Sequence, residues 1–189
     1  MMKESDMRYI DKDAFVSKNA KIIGNGSLHI EAHAVIEDNV LIDLGQGGTI
    51  RIGYRSKLKY GCVLRSYDGK ITIHDRSTIG EYSILAGHGG LIIGNAVIIA
   101  GHSYISAAGH IFSGMNDHIR FQGEIAKGIQ IDDGVWIGAR CVILDGTQLG
   151  ENSIIGAGSI VTKSLNSNMV CYGSPCREVY DRYIKEEIV

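Results

Sequence analysis

The length of 189 residues allows one domain with a substantial interior and does not require a second. The net charge of −2, from 19 basic and 21 acidic residues, excludes a broad basic surface for nucleic acid, so small molecules are the expected partners. The charged N-terminus lacks the apolar core of a signal peptide and no run of about 18 apolar residues follows, so we expect a cytoplasmic protein without a membrane span.

The glycine, proline and cysteine contents narrow the class further. The chain has 25 glycines and one proline, which favours frequent tight turns and a backbone whose N–H groups are needed for strand pairing. The four cysteines show neither CxxC spacing nor the spacing of a metal finger. We therefore predict buried free thiols at Cys62, Cys141, Cys171 and Cys176.

An aliphatic residue returns at every sixth position through most of the chain. In order, these repeat positions are Ile30, Ile36, Ile42, Ile52, Leu58, Leu64, Ile73, Ile79, Leu85, Ile93, Ile99, Ile105, Ile111, Ile125, Ile131, Ile137, Ile143, Leu149, Ile155 and Val161. A period of six fits neither a helix nor a long strand, but it fits a short strand followed by a tight turn. Three such units are predicted to form one triangular coil of an all-β parallel β-helix, with coils stacked about 4.8 Å apart and aliphatic side chains inside.

Longer steps interrupt this period at the end of successive coils. They insert the segments GQGGT, YDGK and AGHGG, which are predicted to stack at one corner of the prism and include His88. His110 falls at the same corner one coil later. The long step from Ile111 to Ile125 is predicted to send out an excursion loop over residues 112–124.

The C-terminal segment departs from the period. It contains the only proline and ends in REVYDRYIKEEI, a stretch with helical character. We predict a β-helix domain over residues 1–170 and a tail over 171–189, with a short helix that caps the last coil. A cap is needed because an open β-helix end exposes unpaired backbone groups.

Several motifs occur together in the C-terminal half. They are VWIGA at 135–139, VIL.G at 142–146, IGAGSIVTK at 155–163, G.PCR at 173–177 and, in the loop, IRFQG at 119–123. This combination resembles the hexapeptide-repeat acetyltransferases, in particular the sugar and polysaccharide O-acetyltransferases of the galactoside and maltose type. The resemblance covers roughly residues 93–177. It implies a left-handed β-helix, a homotrimer, and acetyl-CoA bound between neighbouring subunits beside an acceptor hydroxyl.

The resemblance also implies roles for individual residues. The family's catalytic histidine directly precedes the loop, so His110 is the expected general base, a role that imidazole can fill near neutral pH. The expected cofactor-binding residues are Ala139 and Ala157 along the pantetheine arm, and Thr162, Lys163 and Arg177 near the nucleotide. The expected acceptor-binding residues are His88, Arg120 and Gln122. Backbone N–H groups at a glycine-rich corner are expected to bind the oxyanion.

Some alternatives remain open at this point. Either Glu124 or a backbone carbonyl could orient His110, and the acidic residue that the branch usually carries after the histidine is replaced by Ser113-Gly114. The leading function is O-acetylation of a sugar or polysaccharide, in polysaccharide biosynthesis. The alternatives are N-acetylation of a nucleotide-linked amino sugar and a non-catalytic scaffold. The spacing of the seven histidines does not match a zinc site of the gamma carbonic anhydrase type, so no metal is predicted.

Overall fold

The computed structural model describes residues 8–114 and 118–184. No helix in these residues is long and apolar enough to cross a membrane, and the one short 3₁₀ helix covers Ile119–Phe121. The rest of the regular structure consists of short strands. In chain order they are β1 Arg8–Ile10, β2 Phe15–Val16, β3 Lys21–Ile23, β4 Ser27–Ile30, β5 Val35–Ile36, β6 Leu41–Asp43, β7 Thr49–Ile52, β8 Lys57–Leu58, β9 Val63–Arg65, β10 Lys70–Ile73, β11 Thr78–Ile79, β12 Ile84–Ala86, β13 Leu91–Ile93, β14 Ile98–Ile99, β15 Tyr104–Ser106, β16 Gly109–His110, β17 Glu124–Ile125, β18 Ile129–Ile131, β19 Trp136–Ile137, β20 Val142–Leu144, β21 Gln148–Leu149, β22 Ile154–Ile155, β23 Ile160–Val161, β24 Met169–Gly173 and β25 Cys176–Asp181.

The strands form the three faces of a triangular prism. Within each face neighbouring strands run parallel, apart from β25. The first face contains β1, β4, β7, β10, β13, β18 and β21, the second begins with β2 and β5 and ends with β22, β24 and β25, and the third contains β3, β6, β9, β12, β15, β20 and β23. Every third strand therefore returns to the same face, directly above the previous one. The structure confirms the predicted left-handed parallel β-helix of hexapeptide repeats.

The repeat positions form the core. On the first face Ile30, Ile52 and Ile73 follow one another in register, and each is fully buried. The second and third faces contribute matching columns, so the interior is a continuous stack of aliphatic side chains. Burial of one such side chain stabilises the fold by about 1.5–3 kcal/mol, which makes the inward position the most constrained position of each unit.

Two repeat positions do not enter the core, and the prediction for them is wrong. Ile111 and Ile125 are 39% and 42% exposed. The chain leaves the prism after Ala107, so both residues lie in the stem of the loop, outside the coil. Ile129 and Ile131 of β18 fill the first face of that coil instead.

The inserted glycine-containing turns stack at the corner between the third and first faces, as predicted. The Gly69 backbone passes so close to the next turn that a Cβ there would lie 2.1 Å from the carbonyl oxygen of His88, which explains why glycine is needed. The rings of Tyr67 and His88, on successive turns, stack with their centroids 3.6 Å apart. One coil later, the carbonyl of Ala107 accepts a hydrogen bond from the Gly89 N–H, and the loop leaves from there.

The predicted C-terminal helix is wrong for the residues that the structure describes. Strand β24 continues the second face beyond β22, and β25 folds back to pair with it in antiparallel fashion. Pairing satisfies the backbone groups along the edge of β24, which a helix would leave open, and Val179 and Tyr180 suit a strand. The last part of the predicted tail, residues 185–189, lies outside the described residues.

Candidate functional site

His110 lies at the foot of the excursion loop. Strand β16 pairs with β17 in a two-stranded antiparallel stem, with Gly109 opposite Ile125 and His110 opposite Glu124. The N–H of Ile111 donates to the carbonyl of Gly123, which closes the stem above His110. His110 therefore lies within the first strand of the loop stem, outside the prism, and the paired stem holds the backbone of this exposed histidine in place.

Glu124 is the cross-strand neighbour of His110. Directly opposite residues of an antiparallel pair have Cβ atoms about 4.5–5.5 Å apart, so this carboxylate is within reach of the imidazole. In the described part of the chain, the His110 side chain makes no hydrogen bond. Glu124 is thus the acidic group that the fold places beside His110, where the sequence left its orienting partner open.

The loop is braced by Gln122. Its amide oxygen accepts from the N–H of Gly114 at 2.8 Å, and its amide nitrogen donates to the carbonyl of Gly114 at 3.0 Å. Arg120, two residues earlier in the 3₁₀ helix, is exposed. The structure therefore gives Gln122 a role within the loop, while acceptor binding by Arg120 and Gln122 stays a prediction.

His88 lies one coil below the loop stem, at the same corner. Its ring is half-buried against Tyr67, and its neighbour Gly89 donates to the carbonyl of Ala107. The fold thus places His88 at the corner of the prism from which the loop that carries His110 departs. Acceptor binding by His88 also stays a prediction.

Ala139 and Ala157 lie on the opposite corner, between the second and third faces. They follow one another on successive coils, and the N–H of Gly158 donates to the carbonyl of Ala139 at 2.8 Å. The N–H groups of the two alanines make no hydrogen bond within the described residues, and Ala157 is exposed. This corner therefore has two backbone N–H groups without a partner in the described residues, to which a ligand carbonyl could bind.

Lys163 and Arg177 meet at a cavity of about 460 Å³ near the C-terminal end of the prism. Thr162 and Lys163 follow β23, and Arg177 lies in β25. The guanidinium of Arg177 donates to the carbonyl of Cys176. Neither cation forms an ion pair within residues 8–114 and 118–184. Glu178 also lines the cavity, but its carboxylate is bonded to Asn166. The cavity suits an anionic group.

The candidate catalytic and cofactor-binding residues lie along the two edges of the third face of the prism. Ala139 and Ala157 lie on one side of the third face, and His110 and Lys163 lie on the other side. The outward side chains between the two corners form an apolar column of Tyr104, Val142 and Ile160, in register on successive coils. The base, the free amides and the cations thus surround the C-terminal half of the third face.

The cysteines supply no reactive thiol to this arrangement, although Cys176 lines the cationic cavity. All four are buried and free, as predicted. Burial raises the pKa of Cys62 and Cys171 to about 12, and it also raises the pKa of the Cys141 and Cys176 thiols. None of these thiols is a ready nucleophile. In the described ranges, no three His, Cys, Asp or Glu side chains come close enough to hold a metal ion.

Sequence reasoning missed a second cavity, on the first face. It has a volume of about 470 Å³, and Lys70, Lys127, Gln130 and Gln148 are among its lining residues. The sequence offers a weak signal, because Lys70 begins a first-face strand in DGKITI and Lys127 lies two residues before another in AKGIQI. Their meeting depends on the stacking of coils on both sides of the loop.

Comparisons with known proteins match a family model to the C-terminal coils. Residues 128–163 match the family described as bacterial transferase hexapeptide (six repeats). The galactoside O-acetyltransferase of Escherichia coli K12 is 44% identical over 108 residues, which cover 55% of this chain and 48% of that protein. The chain spans about half the length of the curated relatives it matches.

Solved structures share the coil architecture over most of the chain. A hexapeptide transferase family protein from Anaplasma phagocytophilum matches with a TM-score of 0.68 over 87% of this chain and 86% of that one; at 19% identity the likeness concerns the fold alone. A variant of an N-acyltransferase from Bacillus cereus, in complex with dTDP-4-amino-4,6-dideoxyglucose and coenzyme A, matches with a TM-score of 0.62 at 25% identity, over 91% and 82%.

Proposed function

We propose that this chain is a member of the hexapeptide-repeat acetyltransferase family and that it is an acetyl-CoA-dependent O-acetyltransferase acting on a hydroxyl of a sugar or polysaccharide unit. The observation that carries this proposal is the bordered third face, where His110, two unbonded corner amides and a cationic cavity surround one surface. The Escherichia coli relative, a galactoside O-acetyltransferase, supports transfer to a sugar oxygen. Use of acetyl-CoA also supports the predicted cytoplasmic location.

His110 acts as the general base. It accepts the proton of the acceptor hydroxyl while the oxygen attacks the thioester carbonyl carbon, so a C–O bond forms. The C–S bond then breaks, and His110 returns the proton to the departing sulfur. The products are an acetyl ester and free coenzyme A. Transfer is direct, because the buried cysteines offer no nucleophile for a covalent intermediate.

The cofactor contacts follow from the two corners. The unbonded N–H groups of Ala139 and Ala157 suit the carbonyl groups of the pantetheine arm, and Lys163 and Arg177 suit the phosphates, with Thr162 beside them. The amides of Gly89 and Gly128 at the loop corner are already bonded, to the carbonyl of Ala107 and the carboxylate of Asp145, so the oxyanion needs another backbone donor.

A homotrimer brings these parts together. In one chain, the alanine corner and the histidine corner lie on opposite sides of the third face, so a neighbouring subunit can place its alanines beside His110. The second face presents an outward apolar column of Ile98, Trp136 and Ile154, which matches the apolar column of the third face. Ile98 and Trp136 are each about half exposed in the single chain. Packing of these columns would remove an exposed apolar patch from water.

A thiol-release assay tests the proposed activity. The protein is incubated with acetyl-CoA and a panel of neutral sugars, charged oligosaccharides, nucleotide-linked amino sugars and serine, and free coenzyme A is measured. Release with a sugar hydroxyl acceptor, together with an acetyl ester in the product, is the expected result. Release with none of them would favour a non-catalytic scaffold and would reject the proposal.

A second candidate function is N-acylation of a nucleotide-linked amino sugar. The Bacillus cereus N-acyltransferase, whose fold covers 91% of this chain, holds both coenzyme A and a dTDP-linked amino sugar. Mass spectrometry of the product separates the two functions, because hydroxylamine cleaves an acetyl ester and leaves an amide intact. Turnover confined to amino sugars would replace the first function with the second.

Arg177→Ala should raise the KM for acetyl-CoA by about tenfold to a hundredfold, because a lost charge-assisted contact costs roughly 1.5–3 kcal/mol. The acceptor KM should stay nearly constant. Arg76→Ala is a matched control, since Arg76 is exposed at the corner between the first and second faces, away from the proposed cofactor surface. An unchanged KM for acetyl-CoA in Arg177→Ala would show that this arginine is a surface charge only.

A further inference from the structure

The cavity on the first face is a groove with its own chemistry, and we infer that it binds an extended anionic oligosaccharide, with charges on alternate sugar units. This inference rests on the proposed function, because it makes the acceptor of that transfer a charged glycan. The groove lies on the first face and adjoins the cavity of Lys163 and Arg177 at Ser164, which lines both. It begins at Lys70 and ends at Ser164.

The length of the groove fits a short glycan chain. Its lining residues come from five successive coils, represented by Lys70, Gly90, Gly128, Gly146 and Ser164. The strands of the first face are paired in register along this column. Four coil steps of about 4.8 Å give a groove of about 19 Å. One coil step is close to the length of one sugar unit in an extended chain, so each coil can meet one sugar.

The charge of the groove is set by Lys70 and Lys127. The two residues are two coils apart, so their backbones are separated by about 10 Å along the prism axis. Within the described ranges neither ammonium group has an ion-pair partner. The nearby carboxylate of Asp145 instead accepts from the backbone N–H groups of Lys127 and Gly128, at 2.9 and 2.8 Å. The lysines therefore bring two positive charges to the groove from backbone positions two coils apart, and the Lys127 side chain runs along Gly146 of the next coil.

The polar groups on the coil of Lys127 and on the coil after it are held in place by the protein. Gln130 and Gln148 donate their amide nitrogens to the two oxygens of Asp132, at 2.7 and 3.0 Å. This arrangement fixes both side chains and leaves their amide oxygens as acceptors for sugar hydroxyl groups. Ile92, which is 45% exposed, supplies apolar surface on the same face. Fixed amides beside apolar surface and cations suit a charged saccharide better than an apolar ligand.

The groove and His110 share a corner. Gly89 lines the groove, and its N–H donates to Ala107 at the start of the loop stem. Lys127, at the other end of the stem, lines the groove as well. His110 therefore rises from the rim between the groove on the first face and the proposed cofactor surface on the third face. A base in that position lies between an acceptor on one side and a thioester on the other.

Binding can be measured without acetyl transfer. The probe is a hyaluronan hexasaccharide, which carries a carboxylate on every second sugar, and the neutral control is a chitin hexasaccharide. Both are titrated into the 189-residue protein by calorimetry. We expect binding of the charged probe only, with affinity that falls as salt is raised. Lys70→Gln and Lys127→Gln should each weaken binding by about tenfold or more, the usual effect of losing a charge-assisted contact. Lys57→Gln, an exposed lysine on the second face, should have no effect.

The outcomes separate this inference from the proposed function. Equal binding of the neutral and charged hexasaccharides, no binding of either, or unchanged affinity in both groove variants would overturn the inference. Displacement of the bound hexasaccharide by coenzyme A would assign the groove to the cofactor and overturn it as well. None of these results would touch the thiol-release assay, which can succeed with another acceptor.

Discussion

His110→Ala should lower kcat by about 10² to 10⁴, the usual contribution of a positioned general base, which corresponds to roughly 3–5.5 kcal/mol of barrier. The oligomer and the affinity for coenzyme A should stay unchanged. The exposed side chain of His110 contributes neither to the aliphatic core nor to the Lys163 and Arg177 cavity. Steady-state kinetics, size-exclusion chromatography and coenzyme A titration measure these three quantities.

His118→Ala is the matched control for this experiment. His118 lies farther out on the same loop, with its ring 6.4 Å from that of Phe121. Its loss should cost much less than the loss of His110 and act mainly through the acceptor KM. If His118→Ala abolished turnover while His110→Ala left it intact, the chemistry would belong to the loop, and the assignment of His110 would be wrong.

Glu124→Gln tests the cross-strand neighbour in the same assay. If the carboxylate orients His110, this variant should lower kcat and leave the KM for acetyl-CoA unchanged. A normal kcat would assign orientation to a backbone carbonyl or to another chain.

Deletion of six residues between Ile143 and Ser159 should be tolerated far better than deletion of four. The inward position recurs every six residues, so a six-residue deletion keeps Ile155 and Val161 facing the core. A four-residue deletion turns these side chains outward and exposes apolar groups worth about 1.5–3 kcal/mol each. The yield of soluble oligomer, measured by size-exclusion chromatography, separates the two deletions.

The six-residue deletion should nevertheless lose activity. It moves the segment that carries Lys163 and the β24–β25 hairpin to the next face of the prism. Lys163 is then no longer at the corner between the third and first faces, where the His110 loop departs. A folded but inactive protein is therefore the expected result. Equal loss of soluble oligomer in both deletions would contradict the assignment of the repeat.

The sequence by itself determined the coil. Whether Ile52, Ile73 or Ile137 points inward is decided within each six-residue unit, because a short strand and a tight turn fix the direction of the next side chain. Counting units also placed His110 at the corner that carries the glycine turns. The motifs in the C-terminal coils added the residues of the proposed cofactor site, since those motifs lie within single units.

Tertiary structure decided the features that depend on stacking or on a free edge. Ile111 and Ile125 keep the six-residue spacing, yet they are exposed because the chain leaves the prism between Ala107 and Gly128. The C-terminal segment reads as helical, but β25 forms because the edge of β24 offers backbone partners that a helix cannot satisfy.

The first-face groove is another feature that the local sequence pattern does not predict. Lys70 and Lys127 are far apart in sequence, with the whole excursion loop between them, and no local pattern relates their side chains. The parallel coils bring them to one side of the prism because every third strand returns to the same face. Local periodicity specifies which way a side chain points, whereas only the stacked coils specify which side chains meet.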